Sequence, residues 1–160
     1  MEKHLLLLRH AKAQHEPGLD DHDRPLSVSR GAKQCLFIAD YLTKHAYIPD
    51  YVLSSDAART MQTAQNILQS LNHSQTIHPS SPLYLAPAGQ ILKSIATIPE
   101  QANCALVVGH NPGIHQLADW LCQKKTADYP TACLAIFKFS GTHWSAVEAS
   151  NCTPVALIHP

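Results

Sequence analysis

The sequence predicts an α/β domain with a mainly parallel central sheet, and three observations carry that reading. Two short, continuous apolar runs, Leu5–Leu8 and Ala105–Val108, have the look of strands covered on both faces. Between and after them lie stretches with apolar residues three and four apart, the helical period. And 160 residues form a one-domain length, with no linker, internal repeat or low-complexity tract to divide residues 1–160. Strands alternating with helices give a layered domain.

Taken in order, Leu5–Leu8 is the first strand, too short at four leucines for a signal peptide or a membrane span. Residues 11–25, rich in Asp and His, read as a long loop, and Pro25 holds Arg24 extended. Ser27 is the expected cap of a helix bearing Ala32, Leu36, Ala39 and Leu42. Tyr51–Leu53 is a second strand. Ser54 or Ser55 caps the next helix, with Ala57, Met61, Ala64 and Leu68 on its buried face. A linker follows with Pro79, Pro82 and Pro87, then a short helix from Gly89 to Ile98. Ala105–Val108 ends at Gly109, and Asn111–Lys124 resumes the helical period through Ile114, Leu117, Ala118 and Leu121. Leu134–Phe139 and Trp144–Ala149 alternate like an antiparallel hairpin, and Val155–Ile158 adds a last strand.

Composition narrows the function. Twelve Lys+Arg balance twelve Asp+Glu, so there is no net basic field to recruit nucleic acid or an anionic membrane. Five scattered cysteines (Cys35, Cys104, Cys122, Cys133, Cys152) contain no C-x-x-C pair and read as reduced thiols of a cytoplasmic protein. No H-x-H or H-E-x-x-H spacing offers metal ligands, so neither a metal nor another cofactor is expected. No heptad or apolar seam argues against a monomer.

In parallel sheets, ligands bind beyond the carboxyl ends of the strands. Arg9 and His10 follow the first strand; Ser54, Ser55 and Arg59 follow the second; Gly109 and His110 follow the third; and Arg24 lies on the loop after the first. Each alone has a bland alternative: a surface arginine on a helix for Arg59, a loop ion pair with Asp23 for Arg24, a packed turn for His110. Together they describe a phosphate pocket. Guanidinium forks match phosphate oxygens, helix N-termini favour anions, and a neutral imidazole can attack phosphorus.

The segments LLLLRHAKA, DRPLS, SSDAARTMQTA and VVGHNPG resemble, in order and spacing, those of the histidine phosphatase (phosphoglycerate mutase-like) superfamily. The short length and the Arg-Pro-Leu element resemble its SixA-type phosphohistidine phosphatases. The resemblance implies a three-layer α/β/α sandwich and a phosphorylated nucleophile at His10. It implies Arg9 and Arg59 as phosphate ligands, His110 as the second pocket histidine, and Arg24 as a loop arginine beside the site. It also implies a phosphohistidine-bearing protein, of phosphorelay or phosphotransfer type, as partner and inorganic phosphate as product. Two positions depart from the family pattern. Ala11 stands where the family usually has glycine, and residues 83–90 (LYLAPAGQ) lack the Glu or Asp that larger relatives use as general acid. A phosphoramidate leaving group needs that acid less than an alkoxide does, although Asp20, Asp21 or Asp23 could supply a proton. Hydrolysis of small phosphate esters, or phosphate binding without turnover, stay open as alternatives.

Overall fold

The computed structural model describes residues 2–160. Ten principal elements follow in order: β1 (Lys3–Arg9), α1 (Arg30–Lys44), β2 (Tyr51–Ser55), α2 (Ala58–Ser70), β3 (Ile77–Ser80), α3 (Ala88–Ile95), β4 (Cys104–Gly109), α4 (Gly113–Cys122), β5 (Leu134–Phe139) and β6 (Cys152–Ile158). The six strands form one sheet in the order β3-β2-β4-β1-β5-β6. Pairings among β1 to β4 are parallel, whereas β5 and β6 add antiparallel pairings.

Alternation along β1 explains the three layers. Leu6 and Leu8 face one side with Val52, Leu106 and Val108, against Ile38 and Leu42 of α1 and Ala64 and Ile67 of α2. Leu5 and Leu7 face the other with Ala105 and Val107, against Ile91 and Ile95 of α3 and Ile114, Leu117 and Leu121 of α4. All four leucines are fully buried, and each such burial contributes about 1.5–3 kcal/mol. Among the described residues no helix is long and apolar enough to cross a membrane.

The structure corrects several expectations. The second arm of the anticipated hairpin is not a strand: Trp144–Ala146 is a 3₁₀ turn that buries Trp144 against Phe139. The indole N–H of Trp144 donates to the Ala102 carbonyl at 3.1 Å, so the tryptophan is spent on the core. β5 instead pairs antiparallel with β1 on one side and on the other with β6, which begins earlier than expected, at Cys152. The proline-bearing linker contains β3, which pairs along β2 as an edge strand, where a proline is tolerated. In α1 the buried stripe is Gly31, Cys35, Ile38, Ala39 and Leu42, so Ala32 and Leu36 face outward. In α2, Met61 is only half-buried, and Arg59, Thr60 and Thr63 join the inward face. Helix α1 starts at Arg30, although the Ser27 hydroxyl still accepts the Gly31 N–H at 2.8 Å. Ser55 likewise accepts the Ala57 N–H at 3.3 Å rather than capping within the helix.

Gly113 opens α4 where a side chain would have no room. A Cβ there would lie 1.8 Å from the Ala86 carbonyl oxygen. The missing atom therefore lets residues 84–86 lie directly against the turn after β4. Gly113→Ala should destabilise the fold by about 1–3 kcal/mol, the usual cost of forced overpacking. Urea unfolding would check this, and an unchanged midpoint would mean that residues 84–86 shift freely.

Candidate active site

The parallel register brings the polar residues together. Arg9 pairs with Gly109 across β1 and β4, and Ser54 pairs with Val108 across β2 and β4. The residues one step beyond these pairs therefore emerge side by side. The His10 N–H donates to the Gly109 carbonyl at 3.1 Å, which fixes His10 beside His110. Their ring centroids are 5.4 Å apart. Thr63 fastens α2 to the same point: its hydroxyl donates to the Arg59 carbonyl at 2.6 Å and accepts the Ala11 N–H at 3.0 Å. Ala11 is fully buried.

Arg9, His10, Arg24, Arg59 and His110, the five residues singled out from sequence, all line one cavity of about 240 Å³. Arg59 is its centre. Its Nε–H donates to His10 Nε2 at 3.3 Å, and its Nη2 meets His110 Nδ1 at 3.4 Å. Each bond dictates a tautomer. His10 Nδ1 sits 2.7 Å from the Ala11 carbonyl, which can only accept, so Nδ1 carries the proton and Nε2 keeps its lone pair. His110 Nδ1 faces a donor, so its proton is on Nε2, directed at the Ser55 hydroxyl 2.8 Å away. Two neutral imidazoles thus flank one guanidinium edge.

Burial sets that neutrality. Loss of water pushes the His10 imidazole down to about 4, with the nearby Arg59 and Arg9 charges acting in the same sense. His110 is pushed down to about 3, first by burial and then by the charges of His10 and Arg59.

Several contributors were not singled out from sequence. Asn111 Nδ2 and Arg9 Nη1 both donate to the Tyr129 carbonyl, at 2.9 and 3.1 Å. Tyr129 is itself anchored by its hydroxyl on the Leu7 carbonyl at 2.7 Å. Among the described residues, the buried side-chain polar atoms left without a partner are Arg9 Nε and Asn111 Oδ1. Unpartnered buried groups are rare in native folds, and both of these belong to residues of the cavity wall. Lys12, Leu85 and Thr131 complete the wall. The Asn-Pro-Gly sequence after His110 signals a turn, but nothing local points to a carbonyl 18 residues away.

The loop aspartates divide. Asp21 lies over the site and bonds to Arg59 Nη2 at 2.9 Å, Arg24 Nη1 at 3.1 Å and the Tyr84 hydroxyl at 2.5 Å. The Tyr84 hydrogen bond, reinforced by Arg59, holds its carboxyl down to about 2. Asp21 is therefore an ionised acceptor near neutral pH and not a stored proton. Asp23 meets His22 at 3.5 Å, and His22 bonds to Asp56 at 2.9 Å. Among the described residues no group of three or more His, Cys, Asp or Glu side chains is arranged to hold a metal ion.

Comparison with known proteins agrees with this architecture. The profile of the histidine phosphatase superfamily (branch 1) matches residues 5–81. An uncharacterized protein of Mycobacterium tuberculosis is 31% identical over 165 residues, covering 95% of this chain and 98% of its own. A proposed phosphohistidine phosphatase SixA from Agrobacterium tumefaciens superposes with a TM-score of 0.83 at 28% identity, covering 99% of this chain and 98% of that one. A proposed SixA from Nakamurella multipartitia gives 0.82 at 26% identity, over 100% and 97%.

Both site histidines should remain neutral in the free protein well below the pH at which exposed imidazoles titrate, about 6.5. Long-range ¹H–¹⁵N spectra should show His10 as the Nδ1–H tautomer down to about pH 5, protonating only near 4. The unfolded chain takes up these protons first, so the two rings' contribution to stability is present above about pH 6.5 and is lost as pH falls toward about 4 for His10 and about 3 for His110. Titration of both rings near 6.5 would mean that they are solvated.

Proposed function

The chain belongs to the histidine phosphatase superfamily, and from that premise we propose that it is a metal-independent phosphatase that hydrolyses phosphohistidine on a protein. The observation that carries the reading is the bare Nε2 of His10, held in a nest of donors by its Nδ1 bond to Ala11.

In this reading the phosphoryl group sits between Arg59, Arg9, Arg24 and His110. Its oxygens take over the inner edge of Arg59. His10 Nε2 attacks phosphorus; a P–N bond to His10 forms while the substrate's P–N bond breaks. The departing imidazole takes its proton from solvent. Water then attacks phosphorus on the face opposite His10, the P–Nε2 bond breaks, and inorganic phosphate leaves with the water's proton. Phosphoryl transfer asks chiefly for positioning and charge stabilisation, and a cluster of arginines with a second histidine supplies both. His110 shifts toward its protonated form when a dianion arrives, becoming one more donor to the transferring group.

The proton inventory supports a phosphoramidate over an ester. Residues 83–90 contain no carboxylate, and the carboxylate nearest the pocket, Asp21, stays ionised. A positioned acid is worth about 10²–10⁴-fold when an alkoxide must leave, and a labile P–N bond needs it less. The resemblance to structures described as proposed SixA proteins is consistent with a protein-borne substrate.

The test uses a protein carrying ³²P-phosphohistidine, with excess EDTA and an alkaline quench. Wild type should release phosphate and carry transient label; His10→Ala should do neither. Retention of more than a few per cent turnover in His10→Ala would remove it as nucleophile. Arg59→Ala should cost on the order of 10²–10³ in rate, as loss of a preorganised donor does elsewhere. If sugar or nucleotide monophosphates give the higher kcat/KM, the substrate is an ester; tight phosphate binding with no turnover would leave a binding module.

A further inference from the structure

An ionised aspartate directly over a phosphate pocket is unexpected, because it should repel the ligand. Its contacts explain its presence. Arg59 has two usable edges. The outer edge is held tightly: Nη1 donates to the Asp21 carbonyl at 2.6 Å and Nη2 to its Oδ2 at 2.9 Å. The inner edge is held loosely, by His10 Nε2 at 3.3 Å and His110 Nδ1 at 3.4 Å. Hydrogen bonds of the first kind are near their preferred length, while those of the second are at its far end. An arriving oxygen can therefore replace the inner pair and leave the outer pair in place.

We propose that Asp21 is the positioning residue of this site, clamping the outer edge of Arg59 so that its Nε–Nη2 fork points between His10 and His110. The proposal rests on the phosphoryl-transfer reading above. Asp21 is itself braced from three sides. Arg24 bonds to its other carboxylate oxygen at 3.1 Å, and the Tyr84 hydroxyl donates to Oδ2 at 2.5 Å. The next residue, His22, is tied to Asp56 just before α2, and its ring packs edge-on to Tyr84 at 4.8 Å between centroids. Tyr84 in turn packs edge-on to His110 at 5.4 Å. Because the main-chain carbonyl of Asp21 also holds Arg59, the contact is a fixed brace and not a side chain free to swing away.

The experiment is a double-mutant cycle on turnover of the phosphohistidine protein, with inhibition by vanadate and by inorganic phosphate. Asp21→Ala should lower kcat on the order of tenfold, a fraction of the loss expected for removing the donor outright. Vanadate, which imitates the transition state, should weaken by a similar factor, and phosphate by less than about threefold. In an Arg59→Ala background, Asp21→Ala should change kcat less than about twofold, since the clamp has nothing left to hold. Asp21→Asn, which keeps the shape, and Tyr84→Phe should each give a smaller loss in the same direction. A full additional loss in the Arg59→Ala background would make Asp21 merely structural. A lower KM with tighter phosphate binding in Asp21→Ala would make it a competitor for the anion seat. Either overturns the proposal. Independently of turnover, the Arg59 Nε–H should give an NMR signal whose protection from exchange falls in Asp21→Ala, where only the main-chain half of the clamp remains; unchanged protection would also overturn the clamp. Failure of wild type to turn over, with that protection reduced in Asp21→Ala as expected, would instead fault the reading of the reaction.

Discussion

A guanidinium that is 4% exposed organises this molecule. Burying an unpaired charge costs several kcal/mol, so the fold around Arg59 is constrained to supply partners. Asp21 supplies them from a loop, two imidazoles from strand ends, and Thr63 holds the helix that carries it. The loop after β1 could not lie elsewhere without stranding that charge. Burial keeps the histidines neutral, and the Arg59 charge acts in the same sense: an imidazolium here is disfavoured first by lost hydration and then by repulsion. One buried positive group thus gathers the loop, the helix and the two rings around it.

The sheet turns this local chemistry into geometry. Adjacent parallel strands end at the same level, so β2, β4 and β1 deliver Ser55, His110 and His10 to one line. Hydrogen bonds between strands, and not side-chain packing alone, set the spacing of the two rings. The wall opposite is provided by residues 84–86, which approach only because position 113 is glycine. Precision at the site comes from backbone elements, and the loops add the charges.

Much of this was legible from sequence because the signals are local. Four leucines in a row before Arg9, and Ala105–Val108 before Gly109, name their strands directly, and the strand ends then name residues that line one cavity. What escaped was fixed at a distance. The β3 segment carries a proline and few apolar residues, and it becomes a strand only because β2 offers a free edge. Residues 144–149 alternate like a strand, yet Trp144 gains more by burying its indole against Phe139 and Ala102 than an edge pairing could return. In α1, Ala32 and Leu36 suggest one face, but Gly31 is needed inward, where a Cβ would lie 2.8 Å from the Lys12 carbonyl, and the stripe rotates accordingly. Asp21 was one of three acidic candidates on its loop; its contacts with Arg59, 38 residues on, and Tyr84, 63 residues on, distinguish it.

The two ends of the sheet share a feature with a different consequence. β3 and β6 are the edge strands, and each contains a proline, Pro79 and Pro154, with a register irregularity beside the latter between Ile136 and Phe137. A proline lacks the N–H that an incoming strand would bond, and a bulge twists the ladder out of line. Val155 and Leu157 on β6 are more than two-fifths exposed, the sort of apolar edge that otherwise templates fibrils. The two prolines thus stand guard at the sheet's open edges, a role in keeping chains apart that is separate from the cavity at the strand ends.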